Sequence, residues 1–539
     1  MKEFIFPSRI VKTEGNVQNE SALLREQNLQ IGLNENDVCT IKGRAYVILD
    51  FGKELAGGAR ILTFCVSGEK KVRLRFGESV GETCAVLGEK NAGNDHSARD
   101  FSVWLQSYSD MLFGQTGFRF LRIDTLEEST VLKIKSIAAV SETDDRKAIG
   151  CFECNDETVN KIWNTAAYTL HLCMQNGYIW DGIKRDRLVW IGDLYPEMRA
   201  ADCLFGKIPE TKNCLRFAMT QTEPEKWIAG IPAYSLWWVI ILAEEYDWTK
   251  EEIESEFYDY AERVLVHAAQ HIKENGQTTY PWNFIDWPSN YQEGEPEEKK
   301  QDGEIGMYYL SKKTFENALN LPLGEKVKSL CKKVLKNLNC RKVKVQKYKQ
   351  IAGLGIWAGD CSFENENVLL KNGAHGLSTF MSYFILSGLS ARGRTAEALQ
   401  IMKEYYGGML NLGATSFWED FDMDWLENAL PIDEIPDGIR KDVHGEQGKF
   451  CYRGYRHSLC HGWSAGVIPF LSEEILGVKI DRNKKNTIII SPALCGLKYV
   501  KGKVLTPYGT VEVEHCANED GTVRTQYVAP QGVVVVSKH

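Results

Sequence analysis

The chain lacks most of the features that announce a membrane, nucleotide or metal protein. None of its 539 residues fall in a run of 18 apolar positions, so no helix is expected to cross a bilayer. The opening residues, MKEFIFPSRIVKTEGN, hold no apolar stretch of the kind a secretory leader carries, so a cytoplasmic location is expected. No Gly-x-x-x-x-Gly-Lys-Ser/Thr or Gly-x-Gly-x-x-Gly loop stands out to cradle phosphates. The 10 histidines include no His-Glu-x-x-His pair. The 15 cysteines are odd in number and scattered without a framework, which reads as reduced thiols. One Cys-x-x-Cys, Cys151 and Cys154, stands alone and reads as structural rather than as zinc or redox chemistry. No internal repeat suggests a solenoid. A net charge of −9 argues against nucleic acid as a partner, because phosphate binding needs a basic face.

What is present is a globular composition, 43% hydrophobic and 25% charged, rich in aromatics with 14 Trp and 22 Tyr. Those rings fit large helix cores, or they fit sugar binding, since aromatic faces suit the C–H faces of pyranose rings.

The hydrophobic period changes twice. Up to residue 150, alternating runs at Arg44–Leu49, Ala59–Val66, Lys71–Phe76, Phe118–Ile123 and Val131–Ala138 predict a β-sandwich, with a polar loop over 81–100. From 151 to 476 the period is helical. Asn155 or Asp156 caps a helix with Val159, Ile162, Trp163, Ala166, Leu170 and Cys173 on one face. Further helices are predicted near 195–206, 209–220, 234–247, 251–275, 304–320, 324–339, 376–390, 395–408 and 460–475. Paired helices suit a closed toroid of hairpins, with a bundle or solenoid as the alternative. From 477 to 539 period two returns, a β domain small enough to need packing on the helices.

Three loops concentrate chemistry. Trp180–Asp193 (WDGIKRDRLVWIGD) interleaves Asp181, Asp186 and Asp193 with Lys184, Arg185 and Arg187, beside Trp190. Such a mixture can hold carboxylates at different pKa values, as acid catalysis requires, or it is a salt-bridged corner. Gly413–Trp425 (GATSFWEDFDMDW) places Glu419 and three Asp among aromatics, a sugar site or a solvated acidic turn. Pro281–Tyr291 offers Trp282, Asp286 and Trp287 to wall and anchor a polar ligand, to which Trp237 and Trp238 could add unless they are core. His461 starts a predicted helix and is, as a lone histidine, structural or ligand-contacting.

Taken together, DGIKRDRLVWIGD (Asp181–Asp193), ATSFWEDF (Ala414–Phe421), SLCHGWSAG (Ser458–Gly466), DFGKELAGGARI (Asp50–Ile61) with GFRFLRI (Gly117–Ile123), and the tail Gly496–Glu514 resemble glycoside hydrolase family 78, the α-L-rhamnosidases. The resemblance implies a multidomain, mainly α protein. An (α/α)6 helical barrel is flanked by an N-terminal β-sandwich and a small C-terminal β domain. It implies an inverting hydrolase of terminal α-L-rhamnose that uses no metal or organic cofactor. One carboxylic acid protonates the leaving oxygen, and a second carboxylate, roughly 6.5–9.5 Å away, activates water. By motif, Asp186 is the general acid, with Asp181 and Asp193 as other candidates, and Glu419 is the general base, expected to be solvated. Asp181, Arg185 and Asp193 would hold sugar hydroxyls. Trp190, Trp282, Asp286 and Trp287 would line the pocket, and His461 would touch the sugar. Many members carry a segment one residue longer, with Glu in the place of Asp186. The partner implied is a rhamnose-containing glycoside or oligosaccharide, not nucleic acid or membrane, with a homodimer left open. The alternatives are a related barrel hydrolase for another deoxy or uronic sugar and a non-catalytic carbohydrate-binding relative.

Overall fold

The long strand Cys39–Ser67 organises the first third of the protein in this computed structural model. The structure describes residues 2–537 apart from 90, 95, 96, 250–252, 451 and 483. The predicted loop over 81–100 and helix over 251–275 each include positions outside those described.

The runs read as two strands, 44–49 and 59–66, are parts of this one strand, which pairs with Asp110–Thr125 on one side and Val131–Glu142 on the other. Register shifts between Asp50 and Leu55 and between Gly57 and Ala59 let it bend without breaking. Gly57 is required there: its φ is 153°, and a Cβ would stand 2.0 Å from the Val140 carbonyl oxygen. The result is a seven-stranded sheet around its own apolar core of Val47, Leu49, Phe76, Phe118 and Ile123. The predicted loop after strand Lys71–Gly77 begins instead as a short helix, Val80–Cys84, capped by Ser79.

Asp156 is the cap of helix Glu157–Cys173, accepting from the amides of Thr158 and Val159, and the predicted face is buried. The helices that follow include Ile191–Phe205, Pro209–Gln221, Pro232–Thr249, Ser255–Ala269, Glu297–Ala318 and Glu325–Asn339. Two others, Lys349–Trp357 and Phe363–Leu370, were not read from the sequence. The first is buried over almost its whole length, so it shows no one-sided period. The helix predicted at 376–390 starts at Ser382. The one predicted at 460–475 is a succession of a 3₁₀ turn (Gly462–Gly466), a short α segment (Val467–Phe470) and a π turn (Leu471–Ile475). Among the described residues no helix is long and apolar enough to cross a membrane.

The tail forms two small sheets. The four-stranded one recruits Cys151–Cys154, which pairs with Tyr499–Thr506, so the residues just after 150 join the C-terminal strands. Cys154 points into the core and Cys151 to solvent. Val500, Val504, Val511 and Val513 belong to the same apolar core as the helices, which is how so small a β unit is held.

Candidate active site

The segment after helix Glu157–Cys173 closes on itself through Asp181. Its amide donates to the Leu188 carbonyl at 3.0 Å, and its carboxylate accepts from the Leu188 amide at 2.8 Å. To make so tight a loop, Asp186 and Arg187 both take left-handed backbone (φ 57° and 58°). Non-glycine residues adopt that conformation at a cost of about 1–2 kcal/mol each, a strain typical of functional loops. The turn delivers Arg185, 4% exposed, and Asp186, 16% exposed, to the side facing the 413–425 loop.

Arg185 links two carboxylates. One terminal nitrogen donates to Asp186 at 3.0 Å and the other to Glu419, so the two acids stand on the two arms of one guanidinium. Glu419 is 4% exposed, contrary to the expectation of a solvated carboxylate. The Ser458 amide donates to its Oε2 at 3.2 Å. The loops around it are laced together: the Glu419 amide donates to Ser458 O, the His461 amide to Phe417 O, and Trp463 Nε1 to Glu419 O.

His461 is buried and lies at the centre. Its Nε2 is 3.7 Å from Asp181, 3.9 Å from Asp193 and 3.7 Å from Glu419. Burial, with Arg185 nearby, holds its pKa well below the usual value, so the ring is neutral. Its Nδ1 has no hydrogen-bond partner among the described residues. Asp193 and Asp181 are both pushed well above the ordinary carboxylate range, first by burial and then by acidic neighbours. Glu197, one turn beyond Asp193 on the same helix face, is raised for the same reasons, and its Oε1 has no partner among the described residues. The motif 181–193 ends before Glu197, although its spacing of four from Asp193 was available in the sequence.

Aromatic contacts enclose this acidic centre. Trp190 packs on Tyr234, Tyr234 on Phe284, Phe284 on Trp282 and Trp287, Trp287 on Tyr452, Tyr452 on Trp463, and Trp463 on His461. Tyr234, whose hydroxyl donates to Asp193 at 3.4 Å, closes the ring. All three predicted loops therefore converge. Trp282 is the most open of the wall, 37% exposed. Asp286 is buried, caps the turn at Trp287, accepts from Ser378 and is raised to about 6 by burial. Trp237 and Trp238 do not reach the ring; both are fully buried, against Tyr195 and Trp357 and against Phe257 and Tyr260. Tyr234, Tyr452 and Trp463 were not singled out, since an aromatic on a buried helix or loop gives no local sign of facing a site.

One further pattern is disposed of by geometry. Gly462-Trp463-Ser464-Ala465-Gly466 has the spacing of a serine-hydrolase elbow, but it forms a 3₁₀ turn, and the Ser464 hydroxyl is committed to the His461 carbonyl at 2.7 Å.

Residues 147–317 match the family model of the bacterial α-L-rhamnosidase six-hairpin glycosidase domain. A search of curated proteins finds no match. Among solved structures, the family 78 rhamnosidase of Bacillus sp. GL1 superposes with a TM-score of 0.72 at 19% identity, over 96% of this chain and 55% of that one. The rhamnosidase of Klebsiella oxytoca with rhamnose bound gives 0.66 at 18%, over 87% and 95%. The Streptomyces avermitilis α-L-rhamnosidase complexed with L-rhamnose gives 0.68 at 14%, over 91% and 48%. The chain thus has the fold of these rhamnosidases. It spans about half the length of the Bacillus and Streptomyces enzymes and nearly all of the Klebsiella one.

Proposed function

We propose that this protein is an inverting α-L-rhamnosidase whose helices close into an (α/α)6 barrel, with Asp186 as general acid and Glu419 as general base. The observation that carries this reading is the convergence of two acid-bearing loops on one guanidinium inside a closed aromatic wall. Glu419 accepts hydrogen bonds from Arg185 and the Ser458 amide, which orient its carboxylate to take a proton from water. Asp186 is the more exposed of the pair and sits on a strained turn, where it can reach a leaving oxygen. Neutral His461 and the protonated carboxyls of Asp181 and Asp193 supply donors and acceptors for sugar hydroxyls. Trp190, Trp282 and Trp287 offer apolar faces to the ring.

The test is release of p-nitrophenol from p-nitrophenyl α-L-rhamnopyranoside by the purified protein. Turnover is expected, and Glu419→Gln is expected to reduce it by at least roughly 10²–10⁴-fold. Because Glu419 is buried and ion-paired, that variant should also lose some thermal stability. Folded wild type without turnover would refute the reading. A second specificity observation, the raised pKa of buried Asp193, favours it as an alternative acid. Asp186→Asn separates the two: as the acid, it should slow glycosides with poor leaving groups far more than the activated aryl substrate. Equal losses on both would overturn Asp186 as the acid and leave the role to Asp193 or Asp181.

A further inference from the structure

Between the β-sheet region and the helices lies a second cluster of buried charge. Glu78 and Glu82 stand on the turn and short helix that end strand Lys71–Gly77. His444 comes from the far side, and Lys184 from the signature loop. With 0% exposure for each glutamate and 1% for His444, these three groups are close enough together to hold a metal ion. The Lys184 ammonium occupies that role instead, 2.9 Å from Glu78 and 3.3 Å from Glu82. Two backbone carbonyls complete its shell, Tyr455 at 3.0 Å and His457 at 2.6 Å. Burial alone would strip the ammonium of its proton, but Glu78 and Glu82 outweigh it and keep it charged. His444 is neutral, with its Nε2 donating to His457 O at 2.9 Å and its Nδ1 accepting from Ser79 at 2.7 Å.

Glu78 does more than neutralise Lys184. Its Oε2 also accepts from the Leu459 amide at 2.6 Å, and its Oε1 lies 3.4 Å from the Ser458 hydroxyl. One carboxylate thus touches both halves of the site. Lys184 is two residues before Asp186. Ser458 is the residue whose amide holds Glu419. The same β region braces these loops elsewhere: the Ser97 hydroxyl donates to Lys184 O at 2.9 Å, Arg187 donates to Gln115 O at 3.1 Å, and Arg119 donates to Gly413 O at 2.9 Å. Glu82 shares Lys184 but makes no hydrogen bond to the 458–459 segment among the described residues; it accepts from the Glu78 amide at 2.8 Å.

We infer that Glu78, supplied by the β region, is a positioning residue for the catalytic pair, tying the backbone beside Asp186 and the backbone that holds Glu419 to a single carboxylate. This rests on the proposed reading of the site as catalytic. It also assigns the signature's lysine an internal task, as the cation of an inter-region lock rather than a contact to sugar.

The experiment compares the full chain with Glu78→Gln and Glu82→Gln by two readouts. On p-nitrophenyl α-L-rhamnopyranoside, Glu78→Gln should lower kcat roughly 10- to 100-fold, the scale of a small misplacement of reacting groups, with KM changed by less than about 3-fold. Glu82→Gln, which loosens Lys184, Arg99 and the Glu78 amide but breaks no hydrogen bond to the 458–459 segment among the described residues, should lose less than about 3-fold in kcat. Hydrogen exchange without substrate should be faster in Glu78→Gln at both Ser458–Leu459 and 184–188, and in Glu82→Gln at 184–188 only. If Glu78→Gln does not fold, Glu78→Asp, which keeps the charge but withdraws it from Leu459, should show the same kcat loss. Equal kcat losses in the two glutamine variants, or unchanged exchange at Ser458–Leu459, would overturn the inference. Wild type that turns over no rhamnoside would sink the functional reading, and the exchange readout would still decide whether Glu78 ties the two loops.

Discussion

Helix Ile191–Phe205 carries ionisable groups at both ends, and the two ends handle charge in opposite ways. At its start, Asp193 and Glu197 share a buried space with Asp181 and Glu419, and Arg185 is the one cation paired with this group among the described residues. Protonation, rather than pairing, keeps Asp181, Asp193 and Glu197 inside, while Glu419 stands on Arg185. At its end, Arg199 pairs with Glu473, which also accepts from the Tyr383 hydroxyl at 3.1 Å, and Glu244 accepts from both arms of Arg482. These line a cavity of about 300 Å³ under the C-terminal strands. Burial alone would raise Glu244, but Arg482 outweighs it and brings the carboxyl down to about 2. Asp202 is the exception there, raised by burial with Lys207 no nearer than 3.9 Å. The contrast separates a structural ion pair from a site. Where a charge only needs housing, the fold gives it a counter-charge. Asp181, Asp193 and Glu197, beside the proposed catalytic pair, have no cation partner among the described residues, and the protein bears the cost of burying them.

The contrast is sharpened most by removing a charge from the paired end. Glu244→Gln is expected to destabilise the protein by about 2–3 kcal/mol at pH 7, after a discount for the half-exposed Arg482 partner. The folded pKa lies below the unfolded one, so this stabilisation is complete above about pH 4.5 and is lost as the pH falls toward 2. Chemical denaturation of wild type and variant at pH 7 and pH 3 should show the difference shrinking in acid. A pH-independent difference would mean that lost packing, not charge, explains it.

How much of this was legible in the sequence depends on distance along the chain. The loop 181–193 shows its chemistry locally, because acids, cations and Trp190 alternate within one short stretch, and Glu419 and His461 sit in similarly dense neighbourhoods. The helix Glu157–Cys173 was readable from cap and period together. What failed was non-local or lacked contrast. Tyr234 faces Asp193 from 41 residues away, and Glu78 meets Leu459 across 381. No spacing rule reaches that far. Helix Lys349–Trp357 is apolar on nearly every side, so its period is silent. The 460–475 stretch reads as helical because its residues are buried at helical intervals, yet its backbone changes from 3₁₀ to α to π as it passes His461.

The smaller effect comes from the unpaired end, and its sign should be reversed. Glu197 is raised well above the ordinary carboxylate range, by burial first and then by Asp193 and Asp181. The folded protein therefore keeps a proton that the unfolded chain releases above about pH 4.3. Each pH unit above that value costs the fold up to about 1.4 kcal/mol until the folded pKa is reached, because the unfolded state binds fewer protons. Glutamine has the shape of the protonated acid and no charge to release. It also keeps a side chain of the same length in the narrow space against Gly462, where even a Cβ would stand 2.2 Å from the Glu197 carboxyl. Glu197→Gln should therefore match wild type in thermal stability at pH 4 and exceed it at pH 8, by about 1 kcal/mol or more. Thermal unfolding across that range reads the effect directly. A variant less stable than wild type at pH 8 would show that Glu197 is ionised and paired in the fold, and the two ends of the helix would then follow the same rule.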